Sequence, residues 1–190
     1  TFVNVNAERS YPNWYSSLGL AASSLFLGAT AWTLHRSNQK KFLSHWIFLS
    51  ATFALLSSDE IVTIHEGIGS FINHFFHFSG YLRFAWVIPA GIGLCVFGLS
   101  YLRFLADLTP RRRTQFILAG ATYVLGAVGI EMIGGKIADL HTKSSTAYAL
   151  CYHVEEFLEL CGIALFNAAL IEHLATLLGP EGLRLRFSGE

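Results

Sequence analysis

Five long apolar runs separated by short polar breaks set the pattern of the chain. They cover about 14–34, 42–66, 84–105, 116–133 and 147–170. Each has roughly the length that a helix rising about 1.5 Å per residue needs to cross a hydrocarbon core of about 30 Å. Between the second and third runs, over 67–80, Phe71, Phe75, Phe76 and Phe78 alternate with Asn73, His74 and His77, as in an amphipathic helix lying in a membrane interface. The pattern predicts an all-α integral membrane bundle of about five transmembrane helices plus a short interfacial helix. It forms one domain over 1–190, with exposed tails at 1–13 and 179–190. Pro12 and Asn13 followed by Trp14 and Tyr15 suit a helix starting at the interface, and Pro89 is tolerated or kinks the third run.

Composition strengthens the membrane reading. The chain is 53% hydrophobic and 14% charged, with mean hydropathy +0.46, against about 25% charged residues in a soluble domain. Membrane lipid is the partner this implies, and zero formal net charge gives no basis for a nucleic-acid partner. Cys95, Cys151 and Cys161 lie in apolar runs without paired spacing and read as buried thiols. Arg36, Lys40, Lys41, Arg103, Arg111, Arg112, Arg113, Arg184 and Arg186 fall on one side of the runs, and Arg9, Arg83, Lys136 and Lys143 on the other. The positive-inside rule then puts the N-terminus outside and the C-terminus in the cytoplasm. The chain opens on Thr1 rather than Met, which leaves room for a preceding segment.

The candidate chemistry lies where the second, fourth and fifth runs carry acids. Seven of thirteen carboxylates, Asp59, Glu60, Glu66, Glu131, Glu155, Glu156 and Glu159, stand in or beside runs at one depth, in the outer half of the membrane, with His65 and His153 beside them. A charge there costs several kcal/mol unless it is paired, protonated or coordinated. At about 100° per residue, an unbroken helix holds Asp59 and Glu66 within roughly 20° of each other. The same geometry puts Tyr152, His153, Glu156 and Glu159 on one arc, with Glu155 just beyond it, and Gly120, Ala127, Glu131 and Gly134 on one packing stripe. Three helices thus aim carboxylates at one centre, as bundle metal sites do.

Pro12 with Asn13-Trp14-Tyr15-Ser16-Ser17, Ser57-Ser58-Asp59-Glu60 with His65-Glu66, Gly129 to Gly135 around Glu131, and Glu155-Glu156-Phe157-Leu158-Glu159 together resemble a family of uncharacterised multi-spanning bacterial membrane proteins. The resemblance covers nearly the whole chain. It implies a multi-pass protein of the bacterial inner membrane with these acids grouped, and it supplies no reaction.

Several uses of the acids compete. In a metal site, Asp59, Glu66, Glu131, His153, Glu156 and Glu159 are the ligands, with Glu60, His65 and Glu155 supporting them. Mixed oxygen and imidazole donors suit iron, manganese or zinc, with redox chemistry open, although only the reversed His153-x-x-Glu156 stands in for a di-iron Glu-x-x-His pattern. A proton or cation transporter is a second use of intramembrane acids. A third reading is structural: the acids stand in water at the rim, or are neutral and hydrogen-bonded. Haem or chlorin ligation is disfavoured. His45 and His65, like His153 and His173, are twenty residues apart, about 200° of helix rotation, so each pair faces opposite ways. The remaining class is a non-catalytic accessory subunit of a larger respiratory or photosynthetic complex. Whether the protein is an enzyme stays open at this stage; the chain has no HExxH, no nucleophile elbow and no phosphate loop.

Overall fold

The computed structural model describes residues 11–179, and every regular element within them is helical. In order these are α1 (Tyr11–Arg36), α2 (Leu43–Val62), α3 (Ile64–Phe76), a 3-10 turn (Gly80–Leu82), α4 (Val87–Asp107), α5 (Pro110–Val124), a wide π-helical turn (Leu125–Ile130), α6 (Glu131–Leu140) and α7 (Thr146–Leu178). By length and composition α1, α4, the continuous α5–α6 rod and α7 could each cross a membrane, and the bent pair α2–α3 would make a fifth crossing. The tail segments 1–10 and 180–190 lie outside the described residues.

Two helices run past the apolar boundaries read from sequence. The fourth continues over 110–140 rather than 116–133, and the fifth over 146–178 rather than 147–170. Apolarity marks the length that suits lipid, whereas helix continues while the backbone is satisfied. Pro110 at the first turn, with three arginines after it, starts α5 well before the apolar stretch begins.

Small polar side chains hold one side of the bundle together. Ser17 and Ser57 each donate to the other's carbonyl at 2.9 Å, and Ser24 and Ser50 do the same at 2.8 Å. The two reciprocal pairs lie seven residues apart on antiparallel α1 and α2, so they form successive rungs of one seam. Against α7, Ser23 donates to Asn167 Oδ1 at 2.9 Å and Asn167 Nδ2 to the Gly19 carbonyl at 3.0 Å. α5 approaches α7 so closely at Gly162 that a Cβ there would stand 2.7 Å from the Tyr123 backbone nitrogen. In lipid, such close backbone approach and interhelical hydrogen bonding replace the hydrophobic effect as the source of association.

The basic end is filled by aromatic packing. Trp46 meets Phe104 edge-on at 4.9 Å, Phe116 meets Phe166 at 5.1 Å, and His173 stacks on Trp46 at 5.0 Å. Buried Arg112 closes this end, pairing with Glu172 at 2.7 Å and donating to the Ala169 carbonyl at 3.4 Å.

α4 is held at its two ends. At the basic end the Tyr101 hydroxyl donates to the His45 carbonyl at 2.7 Å, Lys41 pairs with Asp107, and Arg113 donates to the Leu105 carbonyl at 2.9 Å. At the other end Ala85 and Val87 are buried, with the Trp86 backbone beside Gly69 of α3. Between these anchors residues 92–96 are all exposed. Five consecutive exposed residues exceed one helical turn of about 3.6, so the middle of α4 is loosely packed on every side until Phe97, which meets Phe48.

Candidate functional site

The second run is not one helix. Thr63 takes a left-handed conformation (φ 55°, ψ 42°) and the chain turns by 73° between α2 and α3. Asp59 supports the break. Its carboxylate accepts from the backbone N–H of His65 at 2.9 Å, in the first turn of α3, and from the His65 ring at 2.6 Å. A carboxylate at a helix N-terminus satisfies amide donors that the break has stripped of partners. The predicted continuous run 42–66 is thereby corrected, along with the phase argument that put Asp59 and Glu66 on one face. Glu66 belongs to α3 and is exposed. The interfacial segment expected at 67–80 is α3 itself, starting three residues earlier and followed by the 3-10 turn.

The fourth run departs from ideal helix as well. The wide turn before Glu131 shifts the phase of everything after it. Of the stripe read from sequence, Gly134 is buried, whereas Gly120 is exposed and open around its Cα. The glycine that packs is Gly126, where a Cβ would lie 2.9 Å from the Glu155 carbonyl and 3.1 Å from Glu159 Cγ. π-Turns of this kind recur at functional sites; here the turn lays the α5–α6 rod against the acidic stretch of α7.

Above the aromatic floor these helices enclose a cavity of about 1580 Å³. Asp59, Glu60, Glu66, Glu131, Glu155, Glu156 and Glu159 all line it. The carboxylates interact with one another: Glu159 feels Glu60, Glu155, Glu156 and Glu131, and Glu155 feels Glu131, Glu156 and Glu60. The grouping expected from sequence is therefore present, apart from His153. That residue is exposed, lies outside the cavity lining, and donates from its ring to the Ala149 carbonyl at 2.6 Å.

Countercharge is scarce. Arg83 and Lys143 are the arginine and lysine in the cavity lining, which also holds His65, His74 and His77. Arg83 is paired with Asp139, and Lys143 sits over the Phe84 ring at 5.0 Å within electrostatic reach of Glu131. Among the described residues no Lys or Arg forms an ion pair with Glu60, Glu131, Glu155, Glu156 or Glu159. Glu159 is 9% exposed and makes no side-chain hydrogen bond or ion pair within the described residues. Tyr152 lies against Glu156. The Trp86 indole N–H is buried without an acceptor in hydrogen-bond geometry, although the Glu131 carboxylate is beside it.

The acids do not form a metal-ligand group. Among the described residues, no three His, Cys, Asp or Glu side chains are gathered as ligands of one ion. His65, the imidazole in the cavity nearest the acids, is already held by Asp59. Sequence reasoning missed Trp86 and Lys143 at the site, because neither carries a periodic or motif signal. It also missed the bend at Thr63, where a β-branched residue adopts a backbone that usually selects glycine or asparagine.

The chain belongs to the family described as a domain of unknown function, DUF8692, which matches residues 1–174. No curated protein and no solved structure is recognisably similar to it.

Proposed function

We propose that this chain is a multi-pass protein of the bacterial inner membrane whose carboxylate chamber binds a positively charged group. In that reading it crosses the membrane five times, with the bent α2–α3 pair as one crossing. The basic end faces the cytoplasm and the chamber lies toward the outer leaflet. The observation that carries the reading is the set of five cavity-lining glutamates, Glu60, Glu131, Glu155, Glu156 and Glu159, without a Lys or Arg ion pair among the described residues. In a low-dielectric setting such a set is stable only when protons or a bound cation supply the missing charge.

The chamber's other features favour binding over conduction. Aromatic packing and the Arg112–Glu172 pair fill the basic end, where the chain offers no row of acids leading on from the chamber, which weighs against a proton or cation transporter with a continuous path. A resident iron, manganese or zinc ion is the narrower form of the same proposal, and the absence of a ligand group of three among the described residues weighs against it.

Equilibrium dialysis of the detergent-purified protein against butylammonium, with elemental analysis of the same preparation, tests the reading. Bound cation that is lost in Glu156→Gln/Glu159→Gln supports it. Neither ammonium nor metal bound at millimolar concentration overturns it.

A second reading, an accessory subunit of a larger membrane assembly, draws on the outward aromatic face of α3, where Phe71, Phe75 and Phe76 are exposed. Purification in mild detergent at a fixed ratio with other chains, lost in Phe71→Ser/Phe75→Ser, would support that reading. Purification as a lone chain would remove it.

A further inference from the structure

We infer that the chamber takes an amphiphile with a cationic amine head and a hydrocarbon tail, admitted sideways from the membrane past the middle of α4. The inference rests on the cation-binding reading above and names its ligand class.

Two independent observations carry it. The first is Glu159, nine-tenths buried, lining the cavity, and without a hydrogen-bond or ion-pair partner among the described residues. A side chain with that much lost hydration needs a partner brought from outside, and a carboxylate selects a positive hydrogen-bond donor. An ammonium group supplies charge and N–H donors together. The geometry that fails to make a metal-ligand group poses no obstacle to an ammonium, whose donors do not require three ligands at fixed bond lengths.

The second is the gap beside α4. Its middle, residues 92–96, is exposed along five consecutive positions. Yet Ala90, Gly93, Leu94 and Phe97 line the same cavity as the glutamates, with Phe166 across it on α7. Gly91, Gly93 and Gly98 have no atom within 4 Å of where a Cβ would stand. In a bilayer such an apolar slot opens onto acyl chains, and the occupant that completes both halves of the cavity is polar and cationic at one end and apolar at the other. The cavity volume, about 1580 Å³, exceeds the roughly 300–1,000 Å³ of a site for a drug-sized ligand. Charge decides between amphiphiles: a fatty acid or an anionic headgroup would place negative charge among carboxylates that have no Lys or Arg ion pair within the described residues, and the like charges would repel it.

The test uses the full chain in phosphatidylcholine nanodiscs and dodecylamine carrying a diazirine at the chain end, with cross-links mapped by mass spectrometry. The expected result is labelling on the cavity-facing Leu94, Phe97 or Phe166, reduced roughly tenfold or more in Glu156→Gln/Glu159→Gln, and no such labelling by the matching diazirine fatty acid. Gly93→Phe, which fills the slot from α4, should reduce the dodecylamine labelling more than it weakens butylammonium binding. Labelling confined to lipid-facing positions such as Ile92 and Leu99, equal labelling by the fatty acid, or cross-links to another protein in place of the probe would overturn the inference. If butylammonium still binds in those cases, the cation reading stands without it; if butylammonium also fails to bind, both fall.

Discussion

The side of the bundle where α1, α2, α5 and α7 meet and the side where α4 stands are built on opposite terms. On the first, serine rungs, an asparagine clamp and glycines bring backbones into contact, and buried polar atoms largely find partners. On the second, a helix of 21 residues is anchored at its ends and exposed over 92–96, facing Glu60, Glu131, Glu155, Glu156 and Glu159, none of which pairs with a Lys or Arg among the described residues. Close packing and interhelical hydrogen bonds are the main sources of helix association in lipid. A region that forgoes close packing while burying glutamates is therefore organised around something other than stability. The difference also locates which substitutions should matter for folding and which for binding.

The largest effect is expected from Glu172→Gln. It leaves the Arg112 guanidinium, whose side chain is 9% exposed, without its carboxylate partner. The loss is read by unfolding of the detergent-solubilised protein as a clearly lowered midpoint; an unchanged midpoint would show that this end contributes little. Gly162→Ala comes next. A Cβ there meets Tyr123 backbone atoms at 2.7 and 2.9 Å, so α5 and α7 must separate, at about 1–3 kcal/mol. The double-mutant cycle of Ser17→Ala with Ser57→Ala should give a coupling of about 0.6 kcal/mol; zero coupling would dissolve the seam as a source of association. The smallest effect belongs to Gly93→Ala, which has open space around its Cα and should change stability by no more than about 0.5 kcal/mol. If Gly93→Ala proved as costly as Gly162→Ala, the contrast between the two sides would collapse.

Sequence patterning located the helices well, because apolar run length is a direct consequence of a solvent that cannot hydrogen-bond the backbone. It also brought together Asp59, Glu60, Glu131, Glu155, Glu156 and Glu159, all of which line one cavity. What it could not supply was phase across irregular backbone. The left-handed Thr63 turns the residues that follow, so the phase that puts Asp59 and Glu66 on one face belongs to a helix that ends at Val62; Gly120, Ala127, Glu131 and Gly134 do line one cavity, although the π-turn between them leaves Gly126 as the glycine that packs. His153 was misplaced for a different reason. Its arc on α7 was sound, but the arc is wider than the cavity, and a ring nitrogen on the Ala149 carbonyl holds the imidazole outside. The serine rungs were present as small residues favouring contact, while their pairing across α1 and α2 depends on an antiparallel register that no single run reveals.

In the reading proposed above, Glu60, Glu131, Glu155, Glu156 and Glu159 await a positive charge from outside the chain. Thermal unfolding of the wild type and of Glu159→Gln, each with and without saturating butylammonium, tests it most directly. The account predicts that Glu159→Gln unfolds no earlier than the wild type without ligand, because it removes a buried, unpaired carboxylate. It further predicts that the ammonium raises the wild-type midpoint by about 5 °C while leaving the variant's nearly unchanged. An equal shift in both proteins, or a variant that unfolds well below the wild type in the absence of ligand, would contradict it.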